Sequence, residues 1–167
     1  MNTSSPYKSL SHLKGKKWGF TKKSSSSGYQ YPTAYFKRKQ IDPDKYFGDV
    51  KFLGKHPKIT DALAAWKPGA DNIIDGGATW DVNLWEEEEK HGRVFRKVAR
   101  VGPIPMQPMC VPPAVAQNRE LLDKIINALT KDVPEEVIKA EGFPYSGWIV
   151  GTDSDFDIVR RVAGIEK

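Results

Sequence analysis

The chain has 167 residues, 39% hydrophobic and 28% charged, with a formal net charge of +5. Length and apolar content suffice for one domain with a real core and exclude a disordered chain. No apolar run approaches a membrane span, and the stretch from Met1 to Pro6 lacks the apolar centre of a secretory signal.

The first twelve residues read as an irregular arm, and strand one as Lys16 to Thr21. Ser24 to Ser27 then run into Gly28 and Tyr29, ahead of a helix from Tyr29 to Gln40 with Pro32 in its first turn. Poly-serine is often a flexible linker, and one serine before a helix is usually an N-cap. A serine-rich turn between a strand and an amphipathic helix also has a chemical use. It offers hydroxyls, unpaired N–H groups and the positive end of the helix dipole to one point, which suits a tetrahedral oxyanion.

Asp42-Pro43-Asp44 is a turn. Strand two is Asp49 to Leu53, followed by a helix from about Pro57 to Trp66 with Ile59, Leu63 and Trp66 on one face. Strand three is expected over Ala70 to Asp75, broken by Gly76-Gly77. Helix three runs from about Thr79 to Lys90, with Trp80, Leu84 and Trp85 expected inward, and the Glu86–Glu89 run reads as a solvated face. Strand four is expected over Val94 to Val101. The alternation implies an α/β fold, a mainly parallel sheet flanked by helices, with ligands at the carboxyl ends of the strands.

Residues 102–113 carry five prolines and read as an extended crossover. Helices follow over Arg119 to Thr130 and Glu135 to Ala140, the second closed by Gly142. The stretch Phe143 to Val150 is aromatic and turn-rich, and the end reads as a capped helix after Thr152. The acids Asp153, Asp155 and Asp157 lack the order and loop glycine of an EF-hand, so helix-start acids are the better reading. The organisation is therefore an arm (1–12), an α/β lobe with the serine turn (13–101), and a crossover with terminal helices (102–167).

Cys110 is the single cysteine and excludes an internal disulfide or cysteine-cluster metal site. Its neighbours Met109 and Val111 suggest a buried, inert thiol. The basic residues are scattered and no nucleic-acid motif accompanies them, so no nucleic-acid partner is expected. His12, His56 and His91 have no metal-ligand spacing, and neither a Walker lysine pattern nor a nucleophile–base–orienter set is present. The reading is accordingly not an enzyme, with no cofactor.

The ordered set Leu13-Lys14-Gly15-Lys16-Lys17, Ser24-Ser25-Ser26-Ser27-Gly28-Tyr29, Ile41-Asp42-Pro43-Asp44-Lys45-Tyr46-Phe47-Gly48 and Phe52-Leu53-Gly54-Lys55-His56 resembles the phosphate/phosphite/phosphonate-binding components of ABC transporters. These are type II periplasmic substrate-binding proteins. The resemblance continues through Ile104-Pro105-Met106-Gln107-Pro108 and Gly151 to Arg160, and runs from about Ser9 to Gly164. It implies one lobe of that two-lobed fold plus a partial second lobe. It also implies a solute-binding module for phosphate- or phosphonate-like anions, served by a membrane permease. Carried over by position, Ser25, Ser26, Ser27 and Gly28 form the anion turn, His56 faces the ligand, and Asp75 contacts its other end. A periplasmic location follows from the resemblance, although no export signal is visible; a repurposed chain would be organellar or cytoplasmic.

The chain departs from that pattern. Family members are longer, and the opening half of the first lobe is missing here. An acidic residue of amino-phosphonate binders is replaced by Gln107, which disfavours an aminoalkyl ligand. One lobe leaves an anion half hydrated, so affinity of about millimolar at best is expected. The Leu/Ile stripe of the helix over 119–130 must be covered by lobe two, another chain or a swapped dimer. The competing reading is a structural or accessory subunit of a larger assembly, derived from such a binder, with ligand binding lost.

Overall fold

A computed structural model describes residues 1–140 and 146–165. The chain forms two compact units, one of residues 1–104 with the chain from Arg160 onward, the other Pro105–Val159. In the first lie a 3-10 turn at Leu10–Leu13, β1 (Lys17–Phe20), a π-helical turn at Ser26–Gln30, α1 (Tyr31–Arg38), α2 (Pro43–Tyr46), β2 (Asp49–Phe52), α3 (His56–Ala64), β3 (Gly76–Gly77) and α4 (Asp81–His91). In the second lie α5 (Pro113–Gln117), α6 (Arg119–Asn127), a π-helical turn at Ala128–Asp132, α7 (Glu135–Ala140) and a 3-10 turn at Asp153–Phe156. A last helix, α8 (Asp157–Ala163), runs from the second unit into the first. Gly142 and the start of the aromatic stretch at Phe143 lie outside the described residues.

The expected α/β architecture is present. The three strands are all parallel in the order β2–β1–β3, with Trp18 opposite Val50 and Gly76, and Gly19 opposite Lys51 and Gly77. Side chains alternate across a strand, so Trp18 and Phe20 point to one face and Gly19 to the other. On the first face Trp18 stacks on Phe47 at 4.8 Å and meets Phe36 of α1 edge-on at 5.4 Å, in a cluster with Phe20 and Leu13. The opposite core holds Ile59, Ala62 and Leu63 of α3 with Ile74, Leu84 and Phe95. Ile59, Leu63 and Trp66 are all buried, as their spacing predicts. Burying each large side chain of these clusters contributes on the order of 1.5–3 kcal/mol.

Several expectations are corrected. Ala70 to Asp75 is turn and irregular chain, and the strand is the Gly76-Gly77 pair itself. These glycines admit close packing: a Cβ on Gly77 would sit 2.8 Å from Ile59 Cγ2, and one on Gly76 would sit 2.7 Å from Leu13 Cδ1. Val94 to Val101 forms no strand: among the described residues its one strand-like pairing is with the arm, an isolated antiparallel bridge between Phe95 and Asn2. The arm is accordingly held rather than loose. Met1, Asn2 and Ser5 are buried, and Asn2 Nδ2 donates to the carbonyls of Leu63 (2.8 Å) and Ala64 (3.3 Å) at the end of α3. Trp80 and Trp85 are exposed, and only Leu84 of the three expected inward residues is buried. The acidic run is not uniformly solvated: Glu87 is 3% exposed. Cys110 is exposed, because the proline-rich segment around it forms no packed element.

Candidate functional site

Parallel strands deliver their carboxyl ends to one edge of the sheet, where the chain after each begins a turn or helix. The ladder continues past the strands: Leu53 N–H donates to Phe20 O (2.9 Å), Gly54 N–H to Thr21 O (2.8 Å), and Ala78 N–H to Gly19 O (3.0 Å). The serine turn, the Gly54–His56 turn and the Ala78–Thr79 segment therefore open at the same edge.

Ser25 caps the helical run that starts at Ser26. Its Oγ accepts from Gly28 N–H at 3.1 Å, and its carbonyl accepts from Tyr29 and Gln30 N–H at 3.1 and 3.0 Å. The first-turn N–H groups of Ser26 and Ser27 are those a helix cannot satisfy internally. Gly28 is buried against Thr21, where a Cβ would lie 2.0 Å from the Thr21 hydroxyl oxygen. Only glycine lets the turn sit this close to the strand.

His56 is the first residue of α3. Its Nε2 lies 3.2 Å from Ser27 Oγ, and its Nδ1 lies 3.1 Å from Thr79 Oγ1. Burial lowers its pKa below the ordinary 6.5, so the imidazole is neutral at pH 7. Asn83 of α4, 2% exposed, donates from Nδ2 to Thr79 Oγ1 (3.2 Å) and to Thr60 Oγ1 (3.1 Å). The exposed Trp80 ring lies 6.0 Å from the imidazole, centroid to centroid.

The fold thus brings Ser25, Ser26, Ser27, Gly28 and His56 to one place, an array of hydroxyl, N–H and imidazole donors. It does not bring Asp75 there. Asp75 sits at the opposite end of the sheet, where Oδ2 accepts from Lys17 N–H (3.0 Å) and Oδ1 from Trp66 Nε1–H (3.0 Å). One oxygen thus holds the start of β1 and the other the Trp66 indole, so both are engaged within the fold. Thr79 and Asn83 escaped the sequence reading, which took Thr79 only as a helix start. The available signal was that a hydroxyl residue follows a glycine pair ahead of a helix, the same strand–turn–helix order as the serine turn.

Among the described residues, one group has metal-ligand chemistry: Asp61, Glu87 and His91, whose ligand atoms lie within 4.8 Å of one another. Glu87 is already engaged by Lys90 Nζ (2.7 Å) and His91 Nε2 (3.3 Å), so the group reads as an ion-pair network.

Comparison with known proteins bears on this edge. The sequence model of a family described as "ABC transporter, phosphonate, periplasmic substrate-binding protein" matches residues 1–156. The fold resembles the solved structure of XAC2383 from Xanthomonas citri bound to chloride ion, with a TM-score of 0.68 and 23% identity. That match covers 99% of this chain but 63% of the other, so the chain spans less than two thirds of that protein. No curated protein matches the chain.

Proposed function

Since the chain belongs to the phosphonate-binding periplasmic substrate-binding proteins of ABC transporters, a transport family and not an enzyme class, we propose that it binds a phosphate- or phosphonate-like oxyanion at the carboxyl edge of its sheet. The observation that carries this reading is the convergence of the serine turn with His56: Ser27 Oγ stands 3.2 Å from Nε2, beside the unpaired N–H groups of the first helical turn. Ser25, Ser26, Ser27 and Gly28 cradle the anion and His56 flanks it. A permease of an ABC transporter is the partner that receives the solute, and the periplasm is its compartment. Among the described residues no helix is long and apolar enough to cross a membrane.

Isothermal titration with phosphate, phosphite and methylphosphonate tests the reading. Binding is expected, and replacing Ser25, Ser26 and Ser27 together by alanine should abolish it while the circular dichroism of the fold persists. Absence of heat and of any thermal shift at high millimolar ligand would overturn it.

A second reading, an accessory subunit that has lost its ligand, is favoured by α6, none of whose residues is buried although its apolar stripe includes Leu122, Ile125 and Ile126. Light scattering on the purified chain separates the two. A monomer that binds oxyanion supports the first reading, and a ligand-free oligomer the second.

A further inference from the structure

The hydrogen-bond chain behind the site has a direction, and it starts from a carbonyl that cannot be reversed. Thr60 Oγ1 lies 3.0 Å from Pro57 O and 3.3 Å from His56 O. A carbonyl only accepts, so the Thr60 proton is committed to the helix backbone. Toward Asn83, Thr60 can then only accept, which orients the Asn83 amide with Nδ2 facing it at 3.1 Å. The second hydrogen of that NH2 group faces Thr79 Oγ1 at 3.2 Å. Thr79 already accepts there, and its own proton has one protein acceptor among the described residues, His56 Nδ1 at 3.1 Å. A proton received at Nδ1 places the imidazole hydrogen on Nε2, which donates to Ser27 Oγ at 3.2 Å.

We propose that Asn83 is a positioning residue that, through Thr79, holds His56 as its Nε2–H tautomer and so frees the Ser27 hydroxyl proton to donate to a bound oxyanion. The relay turns Ser27 from an ambivalent hydroxyl into an outward donor. Together with the N–H groups of Ser26 and Ser27 it makes an all-donor cradle, in which the seated oxygen must be an acceptor. This extends the oxyanion reading above, and its first test needs no ligand.

Imidazole 15N shifts of the ligand-free protein, labelled at histidine and taken above the His56 titration, should show Nε2 protonated and Nδ1 bare. In Asn83→Asp the new carboxylate can only accept, so Thr79 turns its proton toward it and the Nδ1–H tautomer should dominate. Methylphosphonate affinity should then fall by about tenfold, the worth of one donor turned away. Should the buried charge prevent folding, Thr79→Val serves instead: Nδ1 loses its donor and the two tautomers should mix. A wild-type protein with the Nδ1–H tautomer, or a Thr79→Val protein still wholly Nε2–H, overturns the proposal. A correct tautomer pattern without methylphosphonate binding would leave the relay standing and remove the oxyanion reading.

Discussion

His56 is a histidine whose ring nitrogens both face hydroxyls, Ser27 on one side and Thr79 on the other. Neither hydroxyl can compensate a positive charge as a carboxylate would, and burial lowers the pKa below 6.5. The consequence for stability has a definite sign. Between the lowered folded value and 6.5 the unfolded chain binds the proton and the folded chain does not. Stability is therefore full above about pH 6.5 and declines as pH falls through the window beneath it. His56→Gln removes the titration, so urea midpoints of wild type and variant should diverge on acidification from about pH 7.5 to about pH 5. Parallel curves would mean that His56 is not desolvated. At this scale residue order singled out Ser25 to Ser27 and His56, which the fold brings to one edge, whereas Asp75 lies at the other end of the sheet. Its position just before a glycine pair does not reveal that its carboxylate spans Lys17 N–H and Trp66 Nε1–H.

Elements were legible where periodicity and burial agree. β1, α1 and α3 follow the expected spans because each carries its own buried apolar face, as with Ile59 and Leu63 on α3; β2 also falls where expected, although none of its residues is buried. β3 was not legible, since Gly76 and Gly77 look like punctuation until Ile59, Leu13 and Trp18 are seen crowding their Cα atoms. The supposed strand from Val94 failed for a tertiary reason: the segment pairs with the arm, not the sheet. The close approach at Gly77 also links packing to the site, because Ile59 lies on the helix whose first residue is His56. Gly77→Ala forces α3 away from the sheet. It should cost about 1–3 kcal/mol in denaturant unfolding, the usual range for overpacking. It should also weaken oxyanion binding although residue 77 touches no ligand. Unchanged affinity in a measurably destabilised variant would show that the head of α3 is held independently of its packing.

Across the whole chain, burial is unevenly shared between the two units. The first owns both core clusters, from Leu13 and Trp18 through Ile59 to Phe95. Among the described residues of the second, Ile138 alone is buried, and α6 rests on its Asn118 cap (3.1 Å to Leu121 N) and a Glu120–Lys124 pair (2.7 Å). Exposed ion pairs of this kind contribute at most about 1 kcal/mol, and a nine-residue helix is marginal without packing. Local stability follows buried apolar contact, so the two units should open with different free energies. Native-state hydrogen exchange can resolve this amide by amide. Protection in β1 should approach the global unfolding value, while amides of α6 exchange faster by about a hundredfold or more, a gap of roughly 3 kcal/mol. Equal protection in α6 and β1 would contradict this ordering. It would show that the stripe of Leu122, Ile125 and Ile126 is covered in solution, and light scattering on the same sample would then reveal whether a second copy of the chain covers it.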